Sequence, residues 1–381
     1  MSSNPAANIA THFADLPDPR VDRTRAHELL DILVIAICAI ICGANDWEAV
    51  AEFGRSQEAW FKTFLALPNG IPSHDTFWRV FRALDSEQFQ ACFLNWMRTA
   101  SALIAGQVIA IDGKILRRSH DRGIGLAAID MVSAWACANR VVLAQCKVDT
   151  KSNEITAIPE LLRGLDLAGC IVTIDAMGCQ TEIAQLIVDQ GADYLLSLKE
   201  NQAHLYEDVE LLFADLAASG YQAYAYDTAR TVDKGHGRLE IRQAWTISDP
   251  DIIRHLRNAE RFAKLNTVMM LRFERRLGPK VSVEQGYYIS SANDSAKHLL
   301  AAKRAHWGIE NSVHWILDIA FREDESRLRK DHGAQNFAIL RHIALNLLKQ
   351  ETTVKLGVHN KRLKAAWDQS YLLKVLSGLF K

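Results

Sequence analysis

The stretch ILVIAICAIICGA, starting at Ile32, runs for 13 residues without a charged side chain. Crossing a bilayer as a helix takes about 20 residues. The run is too short for that, and too uniformly apolar for a helix with one wetted side. It predicts a helix buried all round, so the chain must supply other helices to enclose it. Residues 20–105 are read as that unit, an N-terminal helical domain. Within it, IPSHDTFWRVFRALD places Ser73 as an N-cap, with Asp75 in the first turn. Phe77, Val80, Phe81 and Leu84 follow at helical spacing as a buried stripe, with Arg79 and Arg82 off it. The first 19 residues, holding four alanines and three prolines, read as a loose arm. No cleavable signal peptide is expected at the start.

After Gln107 the pattern changes to strands. VIAID is one, and MVSAWA and RVVLAQCKV form a hairpin. TAIPELLRGLD is a helix, and CIVTIDAM is a strand apolar on both faces, as at the centre of a covered sheet. TEIAQLIVDQG is a helix closed by Gly191, and YLLSLK is another strand. Three strands followed by helix, strand, helix, strand predict an α/β fold, a mixed sheet with helices on its faces. Residues 221–290 read as a β-rich insertion. Helix returns from about 295 to 349, and residues 351–381 are read as a C-terminal tail.

Two strands end alike, VIAID at Asp112 and IVTID at Asp175. The carboxyl ends of neighbouring strands are where open α/β sheets bind ligands. Two close carboxylates repel unless a divalent cation holds both ionised. Mg²⁺ takes oxygen ligands, and two ions about 3.5–4 Å apart serve phosphoryl transfer. Glu310, within HWGIENSVHW, is the candidate third acid, on a helical face shared with Trp307, Val313, His314 and Leu317. Asp318, Glu323 and Asp324 are alternatives, although Glu323 and Asp324 sit among Arg322, Arg327, Arg329 and Lys330, where an ion-pair network is the simpler role. His306, Glu310 and His314, spaced i, i+4, i+8, are a weaker zinc-site alternative, since nothing elsewhere supplies matching ligands.

The 381 residues carry a net charge of −1, so a polyanion partner requires clustered cations rather than bulk excess. Lys114, Arg117, Arg118 and Arg122 face one acid, Asp121, within nine residues. The 7 cysteines form no CxxC pair, which argues against a disulfide framework or zinc knuckle and suits a reducing compartment. None stands beside a histidine in a nucleophile motif.

A series of segments then acquires a common meaning: DPRVDRTRAHELLDILVIAICAIICGA, GIPSHDTFWRVFRALD, AIDGK, VSAWA, KSNEITAIPELL, VTIDAMGCQ, GADYLLSLKENQ, HGRLEIR, YYISS and HWGIENSVHWILDIAFRED. In this order, from about residue 18 to 349, the chain resembles the ISAs-type insertion-sequence transposases, the H-repeat-associated proteins of the DDE transposase group. The resemblance implies a ribonuclease-H-like catalytic domain over 106–350, interrupted by the β insertion before the last acid. It assigns Asp112, Asp175 and Glu310 as catalytic and metal-binding acids, with two Mg²⁺ ions expected and Mn²⁺ as a substitute. It further implies double-stranded DNA bounded by terminal inverted repeats, a homodimer in the paired-end complex, and cleavage followed by strand transfer from a 3′-hydroxyl. Neither a membrane nor a small-molecule cofactor is implied, and the setting would be bacterial cytoplasm at the nucleoid.

Expected DNA contacts are Lys114, Arg117 and Arg118, then Lys199, Asn201 and Gln202 after a strand end. His236, Arg238, Arg304, His306 and Trp307 complete the set, Trp307 by stacking on a splayed base. Related transposases carry a Tyr, Arg, Glu, Lys signature at the last acid. Here Lys303, His306 and Leu317 occupy the Tyr, Arg and Lys places, and only Glu310 is kept. KSNE reads as turn or cap residues without further role. Two rival functions remain: a transposase-derived DNA-binding protein, and a nuclease that cuts without joining.

Overall fold

The computed structural model describes residues 7–100, 106–120, 128–148, 153–235 and 237–377. Helices α1 (Ala7–Phe13), α2 (Leu29–Ile41), α3 (Trp47–Ser56), α4 (Glu58–Phe61), α5 (His74–Ala83) and α6 (Ser86–Ala100) come first. The apolar run lies in α2, where every residue from Ile32 to Ile41 is buried. Ser73 caps α5, its Oγ accepting the Thr76 N–H at 3.3 Å. Phe77, Val80, Phe81 and Leu84 are fully buried. The expected arm is in part structure: Ile9, Phe13 and Leu16 are buried, and Phe13 packs against Phe89 and Trp96.

The second part opens with β1 (Val108–Leu116), β2 (Ile129–Ala136), β3 (Val141–Lys147), α7 (Glu154–Arg163), β4 (Ile171–Ile174), α8 (Thr181–Asp189) and β5 (Asp193–Leu198). Then come α9 (Ala203–Ala218), β6 (Asp227–Gly235), β7 (Arg238–Ile247), α10 (Pro250–Ile253), β8 (Thr267–Leu277) and β9 (Lys280–Ser290). All strands join one nine-stranded sheet in the order β3-β2-β1-β4-β5-β9-β8-β7-β6. β1 runs antiparallel to β2 and parallel to β4, and β4 is parallel to β5. The β-rich stretch is therefore not a detached module, because β9 pairs with β5 and carries the sheet onward.

Alternation along β1 sorts its side chains between the two faces. Ile109 and Ile111 join the core beneath α7, α8 and α9. Ala110 packs on the other side with the helical core, so Asp112 and Lys114 face that way too. This second face is covered by α11 (Ala296–His306), α12 (Trp315–Phe321) and α13 (Gly333–Gln350).

Residues 351–377, expected as a tail, fold back as α14 (Val358–Trp367) and α15 (Gln369–Leu376). Tyr371, Leu372, Val375 and Leu376 bury into the core that holds α2. Arg362 of α14 gives the reason its charge is tolerated there. Its Nη2 donates to the Ile40 carbonyl at 2.8 Å, satisfying an acceptor at the end of α2. Among the described residues no helix is long and apolar enough to cross a membrane.

Candidate active site

Parallel pairing of β1 and β4 matches Ile111 with Ile174. The next residue on each strand is an aspartate, so register alone sets Asp112 beside Asp175. Asp112 Oδ1 accepts the Gly113 N–H at 3.0 Å. Asp175 Oδ1 accepts the N–H groups of Met177 at 3.1 Å and Gly178 at 3.4 Å, an Asx-type turn that fixes the loop after β4. That loop is braced from β5: Asn201 Nδ2 donates to the Ala176 carbonyl at 2.8 Å, and Gln202 Nε2 to the Cys179 carbonyl at 2.9 Å.

Glu310 arrives from the helical side. Between α11 and α12 the backbone widens into a π-helical turn at Glu310–His314. This changes the expected face. Val313, His314 and Leu317 are buried whereas Trp307 and Glu310 are exposed, because i→i+5 bonding breaks the 3.6-residue register. His314 Nδ1 lies 3.0 Å from Glu310 Oε2 and 3.6 Å from Asp112 Oδ2. Ligand atoms of Asp112, Glu310 and His314 all fall within 4.8 Å of one another. Burial raises the Asp112 carboxyl above its ordinary value; His314 opposes the rise, while Asp175 and Glu310 add to it. Convergent carboxylates that repel one another and an imidazole nearby fit a divalent cation.

Residues 104–347 match the family described as Transposase DDE domain, and residues 10–97 match the family described as DDE_Tnp_1-associated. The chain belongs to the DDE transposase family. It is 40% identical over 376 residues to the "H repeat-associated putative transposase YhhI" of Escherichia coli K12, covering 97% of this chain and 98% of that one. It is 40% identical to the "Putative transposase YncI" of Escherichia coli O157:H7, over 97% and 95% of the two chains. An uncharacterized protein in the dhlA 3′ region of Xanthobacter autotrophicus is 46% identical over 74% of this chain and 94% of its own. Among solved structures, a piggyBac transposase synaptic complex with hairpin DNA aligns at a TM-score of 0.46 and 11% identity, over 98% of this chain and 76% of that one.

Several polar residues of the transposase stand where the acid pair acts on them. Lys303, at the signature's tyrosine place, has its ammonium 5.2 Å from the Tyr288 ring. Burial lowers its pKa, against the opposing pull of Asp175 and Asp112. Glu154, the acid of KSNE, sits at the start of α7, where Asn153 Oδ1 caps the helix by accepting the Ile155 N–H at 3.1 Å. Its carboxylate presses on β1, and a Cβ at Gly113 would lie 1.9 Å from Glu154 Oε1. Burial, then the charges of Asp130, Asp175 and Asp112, push Glu154 up to about 7. The sequence singled out KSNE without a role; the glycine inside AIDGK was its counterpart.

The expected DNA contacts divide. Arg117, Arg118 and Lys199 are exposed, and Lys199 and Asn201 line a cleft of about 560 Å³ beside the β4 loop, together with Tyr206, Tyr287 and Tyr288. Trp307 is 64% exposed, with Trp315 and Ile319 also exposed beyond Glu310. Arg238 and Arg304 are partly engaged, with Glu240 at 2.7 Å and Asp233 at 2.9 Å. Lys114 departs from expectation: it turns inward to Asp318 at 2.5 Å, with Glu323 and Asp324 each at 3.9 Å. His306 departs too. It is buried with Nδ1 2.9 Å from Thr173 Oγ1, and burial drives its pKa down to about 3. It therefore braces α11 on β4, and the His306–Glu310–His314 ladder does not form. His236, Asp121 and Arg122 lie outside the described residues.

Proposed function

We propose that this transposase cuts DNA at the ends of an insertion sequence and joins the freed 3′-hydroxyls to new DNA, with Asp112, Asp175 and Glu310 as its catalytic acids. The observations that support this reading are the strand register that sets Asp175 beside Asp112 and the approach of Glu310, from the π-helical turn, to Asp112, with His314 between them. The strand order β3-β2-β1-β4-β5, antiparallel on the hairpin side and parallel on the other, supports a ribonuclease-H-like catalytic core over 106–350, with β6–β9 as its strand-rich extension.

The three acids would hold Mg²⁺, or Mn²⁺ in its stead. Such ions polarise the scissile phosphate and lower the pKa of an attacking water or hydroxyl. No protein nucleophile is used. Asp112 and Asp175 present oxygens from a rigid sheet edge, and Glu310 closes the site from the helix. In the first step, water attacks the phosphodiester and leaves a 3′-hydroxyl on the element. In the second, that hydroxyl attacks a target phosphodiester and displaces its 3′-oxygen.

Arg118 and Lys199 would grip backbone phosphates, joined by Arg117, which also pairs with Asp324 at 3.3 Å. Trp307 and Trp315 offer flat apolar surface to bases at the duplex end. Asn201 and Gln202 act indirectly, by holding the loop that carries Asp175. Partners are duplex DNA with inverted terminal repeats and a second copy of the chain, so that two ends are processed together at the nucleoid.

The test is a linear duplex bearing the repeats that flank the coding region, incubated with the purified chain and Mg²⁺. Nicked ends and strand-transfer joints are expected, both abolished by EDTA. Cleavage without joints would make the chain a nuclease, and binding without cleavage a DNA-binding derivative.

A further inference from the structure

Between Asp112 and Glu310 stands an imidazole rather than a third acid. His314 is 5% exposed, so its ring has been withdrawn from water at a cost that partners must offset. Its Nδ1 faces the two carboxylates, 3.0 Å from Glu310 and 3.6 Å from Asp112. Oxygen or nitrogen ligands at about 2.1 Å from one ion and at right angles to each other lie about 3 Å apart, and wider angles separate them further. The imidazole thus already stands at the spacing of a fellow ligand from each of the two carboxylates.

The far side of the ring points the same way. His314 Nε2 is buried without a hydrogen-bond partner among the described residues. It borders a small internal cavity lined by Lys114, Gln145, Glu323 and His342. The side-chain oxygen of Gln145 is likewise without a hydrogen-bond partner among the described residues, and Glu323 Oε1, also without a hydrogen bond, faces the Arg341 guanidinium at 3.7 Å. A histidine that binds a metal through Nδ1 carries its proton on Nε2 and needs an acceptor behind it. The cavity wall holds oxygens of that kind, in Gln145 and Glu323, and among the described residues none of them hydrogen-bonds Nε2 in the structure.

We propose that His314 is a direct nitrogen ligand of the cation held by Asp112 and Glu310. The proposal rests on the reading of these acids as cation-binding. A carboxylate set suits Mg²⁺ and Mn²⁺ alike, whereas an imidazole ligand favours first-row transition ions, Mn²⁺ included, over Mg²⁺. Half-maximal cleavage should therefore need less Mn²⁺ than Mg²⁺, and His314→Gln should narrow that gap.

The deciding measurement is pulsed electron paramagnetic resonance on the full chain with Mn²⁺ and no DNA. The expected result is bound Mn²⁺ with nitrogen coupling from an imidazole. In His314→Gln the coupling should vanish and calorimetric Mn²⁺ affinity should fall at least about ten-fold. Bound Mn²⁺ without nitrogen coupling would overturn the proposal and leave the acids in place. Failure of the unaltered chain to bind Mn²⁺ at all would overturn the acid reading itself. Because the coupling is read on the unaltered protein, a poorly folded variant does not obscure the answer.

Discussion

Asp112 and Lys114 leave the same face of β1 two residues apart and enter opposite electrostatic surroundings. Around Asp112 carboxylates crowd together: burial, Asp175 and Glu310 raise its pKa against the pull of His314, and Glu154 feels the same aspartates through the strand. Around Lys114 they are matched. Lys114, Arg117 and Arg341 meet Asp318, Glu323 and Asp324 in a linked set of ion pairs. Burying charge is costly unless it is paired. One cluster is completed within the chain and clamps α12 and α13 to β1. The other is left short of positive charge, which is the condition for drawing in a cation from outside.

Removing acids should separate the two clusters most sharply. Asp112→Ala, Asp175→Ala and Glu310→Ala should each lower Mg²⁺-dependent end cleavage by about 10³-fold or more, the scale of several kcal/mol of transition-state charge stabilisation. Thermal melting without divalent ions should stay level or rise in Asp112→Ala and Glu310→Ala, because a like charge has been deleted, whereas Asp175→Ala also loses the turn that fixes its loop. Cleavage gels and melting curves on the same preparations check both halves. Full cleavage combined with a lower melting temperature would reverse the roles assigned to the two clusters.

Lys114→Met should do the opposite. Deleting Lys114 leaves Asp318 without its cation and Glu323 with Arg341 alone, and breaking a buried pair in this way costs about 3–5 kcal/mol. Urea unfolding should record that loss, while the salt dependence of DNA binding stays as it was. A variant with unchanged stability and weakened DNA binding would return Lys114 to the phosphate track.

The same contrast explains what could be read from the chain and what could not. The stripe Phe77, Val80, Phe81, Leu84 is a local pattern, and so is an apolar strand that ends in an aspartate. Lys114 looked like part of a basic patch because its neighbours in sequence are basic. Its actual partner, Asp318, lies 204 residues away. His306, at the signature's arginine place, was expected to meet DNA, yet Thr173 of β4 claims it. The polar texture of residues 351–377 hid Tyr371, Leu372 and Val375, which bury only once α2 is present to receive them. Glu154 was legible as a residue near a helix cap. Its carboxylate became meaningful only when folding laid it on Gly113.

Glu154 gives a subtler test by pH. Its carboxyl is pushed from the ordinary 4.5 up to about 7. Between those values the folded chain holds a proton that the unfolded chain releases, so stability falls as pH rises through the window. Below about 4.5 both states are protonated and nothing is lost. Melting temperatures without divalent ions should therefore decline from pH 5 to pH 8, more shallowly in Glu154→Gln. Added Mg²⁺ should restore part of the loss at pH 8. A decline just as steep in Glu154→Gln would show that the repulsion resides elsewhere, with Asp112 the next group to examine.

The smallest effects belong to cations that neither cluster has claimed. Arg118 and Lys199 are exposed, and each is expected to meet a single phosphate. A phosphate contact releases condensed counterions, so losing one lowers the slope of log K against log salt by about 0.9. Arg118→Ala and Lys199→Ala should each show that change in a fluorescence titration on duplex DNA, equally for cognate and unrelated sequences. Stability should not move, because neither side chain completes a buried pair. A slope unchanged in both variants would mean that the DNA passes over another part of the surface. The exposed Trp307–Trp315 strip would then be the place to look, since stacking leaves little trace in a salt titration.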